Sequence, residues 1–246
     1  MINRQRRAST AALIVAAGES RRMQDWEGKR IDKQFAEIAG KPLIGWTLKA
    51  FQESESVDSI LLITSSANLG KAVKVVEELE LTKVARILAG GRERRDSVAA
   101  GLCLALDYDI VIVHDGARPC VLPKDIERGI ELVRDRGLEA AVAVSPVNDT
   151  IKEAARTESD MEPQYLFSRT IDRRKLVAAS TPQTFKAKVL RSAYSRFWNS
   201  DATDDAGYVE LSGISVYGYE CSSWNGKVTR PYDLAIAEAL LLRRKE

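Results

Sequence analysis

The chain has 246 residues, enough to bury a substantial core and few enough for one α/β domain with an appendage. Its 37 Lys and Arg stand against 35 Asp and Glu, so no general attraction to nucleic acid or to an anionic membrane is expected, and anion binding has to be local. A single histidine, His114, excludes mechanisms that need two imidazoles, while three cysteines without CxxC spacing, Cys103, Cys120 and Cys221, read as reduced thiols.

Residues 1–10 are basic without an adjoining hydrophobic signal region. The longest apolar stretch, 11–17, falls far short of the roughly 18 to 20 residues that span a bilayer, which predicts a cytoplasmic protein. Short apolar runs rich in β-branched residues recur at 11–16, 59–64, 84–88, 110–114 and 140–145, each bounded by polar residues or glycine, as buried strands are. Between them, 42–52, 69–79, 95–106 and 124–136 carry helical spacing; in the second, Val73, Val76 and Leu79 share a face. Alternating strand and helix predicts a parallel sheet. After Pro146 the rhythm breaks: 148–152 and 165–171 are extended pieces around a polar connector, 153–164, which predicts an excursion from the sheet. A helix over 186–198, a strand over 214–220 and a last helix opened by Pro231 and running through Leu242 complete the chain. No repeat or linker divides residues 1–246, so one domain is expected.

Ligands of open parallel sheets bind beyond the carboxyl ends of the strands, and three strand-end loops are chemically unusual. The first, Ala17-Gly18-Glu19-Ser20-Arg21-Arg22-Met23, offers small residues that let backbone N–H groups approach phosphate oxygens, with arginines to neutralise them. It matches neither GxGxxG nor GxxxxGK[ST], which argues against a dinucleotide fold or a Walker-type kinase. Lys33 and Gln34 follow ten residues on, where a lysine can close over a triphosphate. The second loop, Gly90 to Val98, has paired glycines that permit close packing against a flat ligand such as a base, and Asp96 or Ser97 near a helix start. The third, His114-Asp115-Gly116-Ala117-Arg118-Pro119, sets a carboxylate able to bind magnesium beside a guanidinium able to grip a phosphate. His114 itself reads as a buried packing or hydrogen-bonding residue. Each loop alone has a plain structural reading, as a basic turn, a capped helix or an Asp115–Arg118 salt bridge; only the combination points to phosphate chemistry.

Assembled, these residues resemble the 2-C-methyl-D-erythritol 4-phosphate cytidylyltransferase family of non-mevalonate isoprenoid biosynthesis, over nearly the whole chain. The likeness runs through Ala16-Ala17-Gly18 with Arg21-Arg22-Met23, Lys33-Gln34-Phe35, Gly90-Gly91 with Asp96-Ser97-Val98, and the run from His114 to Pro119. It continues through Pro146 to Thr150, Thr170 to Arg173, Thr181-Pro182-Gln183, Thr203-Asp204-Asp205 and Lys227 to Pro231. The resemblance implies a Rossmann-like nucleotidyltransferase fold: an α/β, mostly parallel mixed sheet flanked by helices, with a protruding β-arm at about 149–171 that clasps a second subunit in a homodimer. It implies that CMP passes from CTP to a sugar-alcohol phosphate with magnesium present. Ala16, Ala17, Gly18, Gly90 and Ser97 would hold CTP; Arg22, Lys33 and Lys227 would surround its phosphates as the catalytic cations. Asp115 would meet magnesium and Arg118 the substrate side, while Thr150 and Arg173 on the arm and Thr181 on the body would reach the acceptor.

Three positions depart from the family pattern: Ser20 stands where glycine is frequent, Arg92 where an acidic or small residue is usual, and Trp224 where the family carries an acid, leaving Asp115 as the carboxylate carried over. Ribitol 5-phosphate cytidylyltransferases are similar through the CTP loops, but Arg95-Asp96-Ser97-Val98 and Gly116-Ala117-Arg118-Pro119 look more like the methylerythritol branch. A non-catalytic nucleotide-binding regulatory module is the alternative from another class.

Overall fold

The computed structural model describes residues 7–18, 23, 32–156, 165–221 and 224–244. In chain order its elements are β1 (Thr10–Ala16), β2 (Glu37–Ile38), β3 (Lys41–Pro42), α1 (Leu43–Glu53), β4 (Ser59–Thr64), α2 (Leu69–Glu78), β5 (Val84–Ala89), α3 (Arg94–Leu104) and β6 (Ile110–Asp115). There follow α4 (Pro123–Arg134), β7 (Ala140–Pro146), β8 (Ile151–Arg156), β9 (Tyr165–Ile171), β10 (Val177–Lys186), α5 (Ala187–Phe197), α6 (Asp205–Leu211), β11 (Tyr217–Glu220) and α7 (Pro231–Arg243).

Seven strands form one sheet in the order β11-β7-β10-β6-β1-β4-β5. All neighbours are parallel except β10, which runs antiparallel to both β6 and β7. The mixed, Rossmann-like α/β sheet expected from the sequence is therefore present. Apolar residues crowd β1, β4 and β6 because both faces of these strands are covered. Ile14, Ile60, Leu62, Ile110 and Ile112 pack with Leu48 and Phe51 of α1 and Ile126 and Ile130 of α4. Leu13, Leu61, Ile63, Val111 and Val113 pack on the other face with Val98 and Leu102 of α3, Leu190 and Ala193 of α5 and Val209 of α6. Among the described residues no helix is long and apolar enough to cross a membrane.

The structure adds elements that periodicity did not predict. β10 holds Ser180, Thr181, Gln183 and Thr184 and contains Pro182, a composition that argues against a central strand. The sheet accommodates Gln183 because the start of α6 satisfies it: Gln183 Nε2 donates to Asp204 at 2.7 Å, and the Ala206 N–H donates to Gln183 Oε1 at 3.0 Å. Asp204 also caps α6 by accepting from Gly207 N at 2.9 Å, which explains a helix too short to show a period. The excursion after Pro146 is a two-stranded antiparallel hairpin, β8 with β9, whose first strand reaches Arg156 rather than stopping at residue 152. The strand expected over 214–220 is shorter, Tyr217–Glu220.

Phe185 on β10 is fully buried against the α5 side of the sheet. Phe185→Ala should cost about 3–5 kcal/mol of unfolding free energy, measured by urea denaturation; a cost near zero would mean that β10 is not a core strand.

Candidate active site

The carboxyl ends of β1, β4, β5 and β6 open on one cleft of about 840 Å³, whose walls include Ala17, Gly18, Lys33, Gly90, Asp115 and Lys227. Its floor depends on close approach between loops. A Cβ added to Gly90 would stand 2.5 Å from Ala17 Cβ and 2.5 Å from Ser97 Oγ, so this glycine lets the β5 end meet the β1 end. The partner of that close packing is the protein itself rather than a flat ligand. Gly116 does the same for the third loop: an added Cβ would lie 2.8 Å from Ile44 Cδ1 and 2.9 Å from Ala16 Cβ.

Asp115, the last residue of β6, is the electrostatic centre. Lys227 Nζ lies 3.1 Å from Oδ2, Arg118 Nε 3.1 Å from the same oxygen, and Arg94 Nε 3.6 Å from Oδ1. Burial acts most strongly to raise the Asp115 pKa, but Lys227, Arg94 and Arg118 together outweigh it and hold the carboxyl well below the usual range. Arg94 is shared with Asp205, so three cations face two carboxylates, and with Lys33 on the same wall a surplus of positive charge remains at the cleft.

Long-range bonds deliver each cation. Val228 is fully buried with Met23, Leu43 and Ala117, and its N–H donates to Ala117 O at 2.8 Å, fixing the neighbouring Lys227 beside the Asp115 turn. Asp233, in the first turn of α7, accepts from Thr229 N, Thr229 Oγ1 and Arg230 N at 2.7, 2.9 and 2.8 Å, which anchors the far side of the segment. Lys33 Nζ reaches across to Val228 O at 3.0 Å, so the two lysines meet in one wall. Arg94 leaves α3 at its first residue, where Asp96 accepts from Glu93 N at 2.8 Å; Arg94 Nη2 also bonds Asp205 Oδ2 at 2.6 Å. Asp205 is fully buried and accepts from Tyr194 OH at 2.5 Å. Burial would lower the Arg94 pKa, yet Asp205 and then Asp115 keep its guanidinium firmly charged.

The family follows from comparison. Residues 10–243 match the family model described as IspD: 2-C-methyl-D-erythritol 4-phosphate cytidylyltransferase. The chain is 42% identical over 230 residues to the 2-C-methyl-D-erythritol 4-phosphate cytidylyltransferase of Dehalococcoides mccartyi (strain ATCC BAA-2266 / KCTC 15142 / 195), covering 94% of this chain and 95% of that one. It is 39% identical over 239 residues to that of Pelotomaculum thermopropionicum, covering 96% and 95%. The crystal structure of the enzyme from Thermus thermophilus aligns with a TM-score of 0.72 at 31% identity over 96% of this chain and 99% of that one. The chain belongs to this cytidylyltransferase family.

As a member of a family of CTP-dependent nucleotidyltransferases, the chain brings together Ala17, Gly18, Lys33, Gly90, Ser97, Asp115 and Lys227 in one cleft. Ala16 lies just behind it, packed toward Gly116. Arg22 and Ser20 lie outside the described residues. Arg118 turns inward: besides Asp115, it donates from Nη1 to Asn225 O at 2.7 Å. Thr181 is buried behind Asp115, and Thr150 and Arg173 sit at the exposed root of the hairpin, outside the lining of this chain's own cleft. Of the departing positions, Arg92 lines the cleft and Trp224 is largely exposed. The helix cap expected of Asp96 or Ser97 is supplied from residue 93, with Asp96 bonding back to it. Sequence reading gave no role to Arg94, Asp205, Tyr194 or Asn225. Their only sequence signal is a dense charged run at 92–96 and an Asp pair at 204–205, separated by more than a hundred residues.

His114 is fully buried, and burial first, then Arg118 and Lys227, brings its pKa down to about 3 against the pull of Asp115. The unfolded imidazole titrates near its ordinary value of about 6.5, so below that pH the unfolded chain takes up a proton that the folded chain refuses. The imidazole's share of stability should therefore be lost as pH falls from about 6.5 toward 3. Urea midpoints at pH 7, 6 and 5 should decline in the parent, and the decline between pH 7 and 5 should flatten in His114→Asn. An equal slope in both would contradict a buried neutral imidazole.

Proposed function

We propose that this cleft transfers CMP from CTP to 2-C-methyl-D-erythritol 4-phosphate, giving 4-diphosphocytidyl-2-C-methyl-D-erythritol and pyrophosphate, in the cytoplasm and in a homodimer. The observation that carries the reading is the cationic surplus around Asp115, with Lys33 beside it, at the mouth of strand ends whose glycines let the loops of the floor meet. Such a site is complementary to a triphosphate. Family membership favours the methylerythritol acceptor over ribitol 5-phosphate.

The chemistry follows from charge. A phosphate oxygen of the acceptor attacks the α-phosphorus of CTP in line, the new P–O bond forms as the bond to the β-phosphate bridge breaks, and pyrophosphate leaves from the opposite face. The attacking oxygen is already an anion, so no side chain has to take a proton, in keeping with a chain whose sole imidazole is buried. The barrier is mutual repulsion of anions and charge gathering on the α-phosphoryl group; Lys33 and Lys227, with Arg22 by resemblance, offset both.

The donor set fits magnesium. Among the described residues no group of three or more metal-binding side chains exists, and of the two carboxylates on the cleft wall Glu93 pairs with Arg95 at 2.8 Å, which leaves Asp115. Magnesium is commonly held by one or two carboxylates together with substrate phosphates, so Asp115 would hold it jointly with the nucleotide. Bound there it would supply further positive charge to the phosphates. Lys227, the more exposed of the two lysines, is then free to turn from Asp115 to the nucleotide.

Pyrophosphate release should appear with CTP, magnesium and 2-C-methyl-D-erythritol 4-phosphate and be weak with ribitol 5-phosphate. Lys227→Ala should lower kcat by about 10² to 10³, or about 3–4 kcal/mol of transition-state stabilisation. Preference for ribitol 5-phosphate would overturn the acceptor. CTP binding without acceptor-dependent release would make the chain a regulatory nucleotide-binding module.

The dimer is supported by the hairpin. Tyr165, Leu166 and Phe167 of β9 are 58–68% exposed, apolar surface left uncovered among the described residues. Thr150 and Arg173 flank this arm, and contact with the acceptor in the partner's cleft gives them a use that their own cleft does not. Leu166→Glu with Phe167→Glu should shift sedimentation from dimer to monomer and abolish acceptor-dependent turnover while CTP binding persists; an unchanged sedimentation coefficient would refute the arm as interface.

A further inference from the structure

We propose that His114 and Thr181 are positioning residues for the reaction: together they clamp both ends of the turn that carries the Asp115 carboxylate. The clamp rests on contacts within the chain, and its effect on turnover rests on the transfer reaction proposed above.

The backbone N–H of Asp115 donates to Thr181 Oγ1 at 3.1 Å, and the same oxygen lies 3.1 Å from His114 Nδ1. An amide N–H can only donate, so Oγ1 accepts on that side, and its proton and second lone pair allow either role toward the imidazole. Nε2 decides between them: it faces Arg118 O at 3.5 Å, a carbonyl oxygen that only accepts, so the ring proton sits on Nε2 and Nδ1 is the bare, accepting nitrogen. The Phe51 ring, 5.0 Å away and tilted by 56°, packs against the imidazole. One buried ring thus touches the start of the turn through Thr181 and its end at Arg118, whose guanidinium is tied to Asn225 O.

This assignment changes the meaning of Thr181. The residue is 4% exposed and its hydroxyl has two internal partners, so it acts on the acceptor through Asp115 rather than by touching it. Asn225 closes the arrangement from behind, with Nδ2 donating to Thr181 O at 2.6 Å. The cation-bearing segment around Lys227 and the carboxylate-bearing turn therefore share one hydrogen-bonded frame.

Thr181→Val keeps the volume and removes the hydroxyl; Thr181→Ser keeps the hydroxyl. With the full-length protein, Thr181→Val should lower kcat about 10- to 100-fold, leaving the Kd for CTP and the KM for the acceptor within about threefold, and Thr181→Ser should stay within about threefold of the parent in kcat. A loss confined to the acceptor KM would make Thr181 a substrate contact, and equal damage in both variants, or none in Thr181→Val, would also overturn the proposal. Should Thr181→Val fail to fold, His114→Asn, whose Oδ1 can accept in place of Nδ1, should outperform His114→Leu by the same margin; equality would sink it. A second readout needs no turnover: because the sequence has one histidine, two-bond ¹H–¹⁵N spectra read a single ring. They should show the Nε2–H form in the parent and a displaced Nδ1 resonance in Thr181→Val. A parent ring protonated at Nδ1 would refute the clamp even in an active enzyme, whereas an inactive parent with the expected ring would refute only the transfer reaction.

Discussion

The structure turns on one buried carboxylate. Asp115 ends the strand that is most deeply enclosed, and a charge there is costly unless paired and hydrogen-bonded. Its three cationic partners come from separate places: the start of α3, its own turn and the segment before α7. Arg94 also serves Asp205, so three cations meet two carboxylates, and the one positive charge left over, with Lys33 nearby, is the point of the arrangement. The surplus is unfavourable to a closed protein interior and favourable only where a polyanion completes it, so the same contacts that keep Asp115 ionised also make the cleft attractive to phosphate.

Sheet topology makes this convergence possible. In a wholly parallel sheet, the loops beyond β6 and its neighbour would both arise from strand C-termini. The antiparallel β10 instead pairs with β6 so that Gln183 lies opposite Val113, and Thr181, two residues earlier, comes level with Asp115. The reversed strand thereby lends the carboxyl end of β6 a hydroxyl from an irregular stretch of β10, between residues 177–179 paired with β7 and residues 183–186 paired with β6. Gln183 on the same strand reaches α6, whose Asp205 holds Arg94. A strand that looks unsuited to a core by its polar content is polar because it wires the site together.

That wiring marks the limit of what the sequence discloses. β1, β4 and β6 are evident as apolar runs because burial on both faces demands it, and the three strand-end loops could be located from their small and charged residues. β10 was hidden because Thr181 and Gln183 find their partners far along the chain, and neither Pro182 nor alternating hydrophobicity betrays that. Arg94 was hidden in a run of charges where Arg92 and Arg95 look equivalent; only the fold singles it out, by placing buried Asp205 within 2.6 Å. Arg118 shows the converse. The resemblance implies a residue facing substrate, and within the chain its Nε donates to Asp115 and its Nη1 to Asn225 O. Sequence proximity identified the pair but not the direction of its free valences.

The two halves of the proposed reaction are consequently held in different ways. The described part of the nucleotide side is held within one chain by bonds that span long sequence separations, such as Lys33 to Val228, Thr181 to Asp115 and Asn225 to Thr181. The acceptor side, in the dimer proposed here, rests on a two-stranded hairpin, and such hairpins are marginal in water until something covers them. Docking on a second copy would bury Leu166 and Phe167 and bring Thr150 and Arg173 to the partner's phosphates in one event. Nucleotide affinity would then be insensitive to protein concentration while acceptor turnover follows the dimer, because the charge that attracts CTP is complete in each subunit and the surface that selects the acceptor is not.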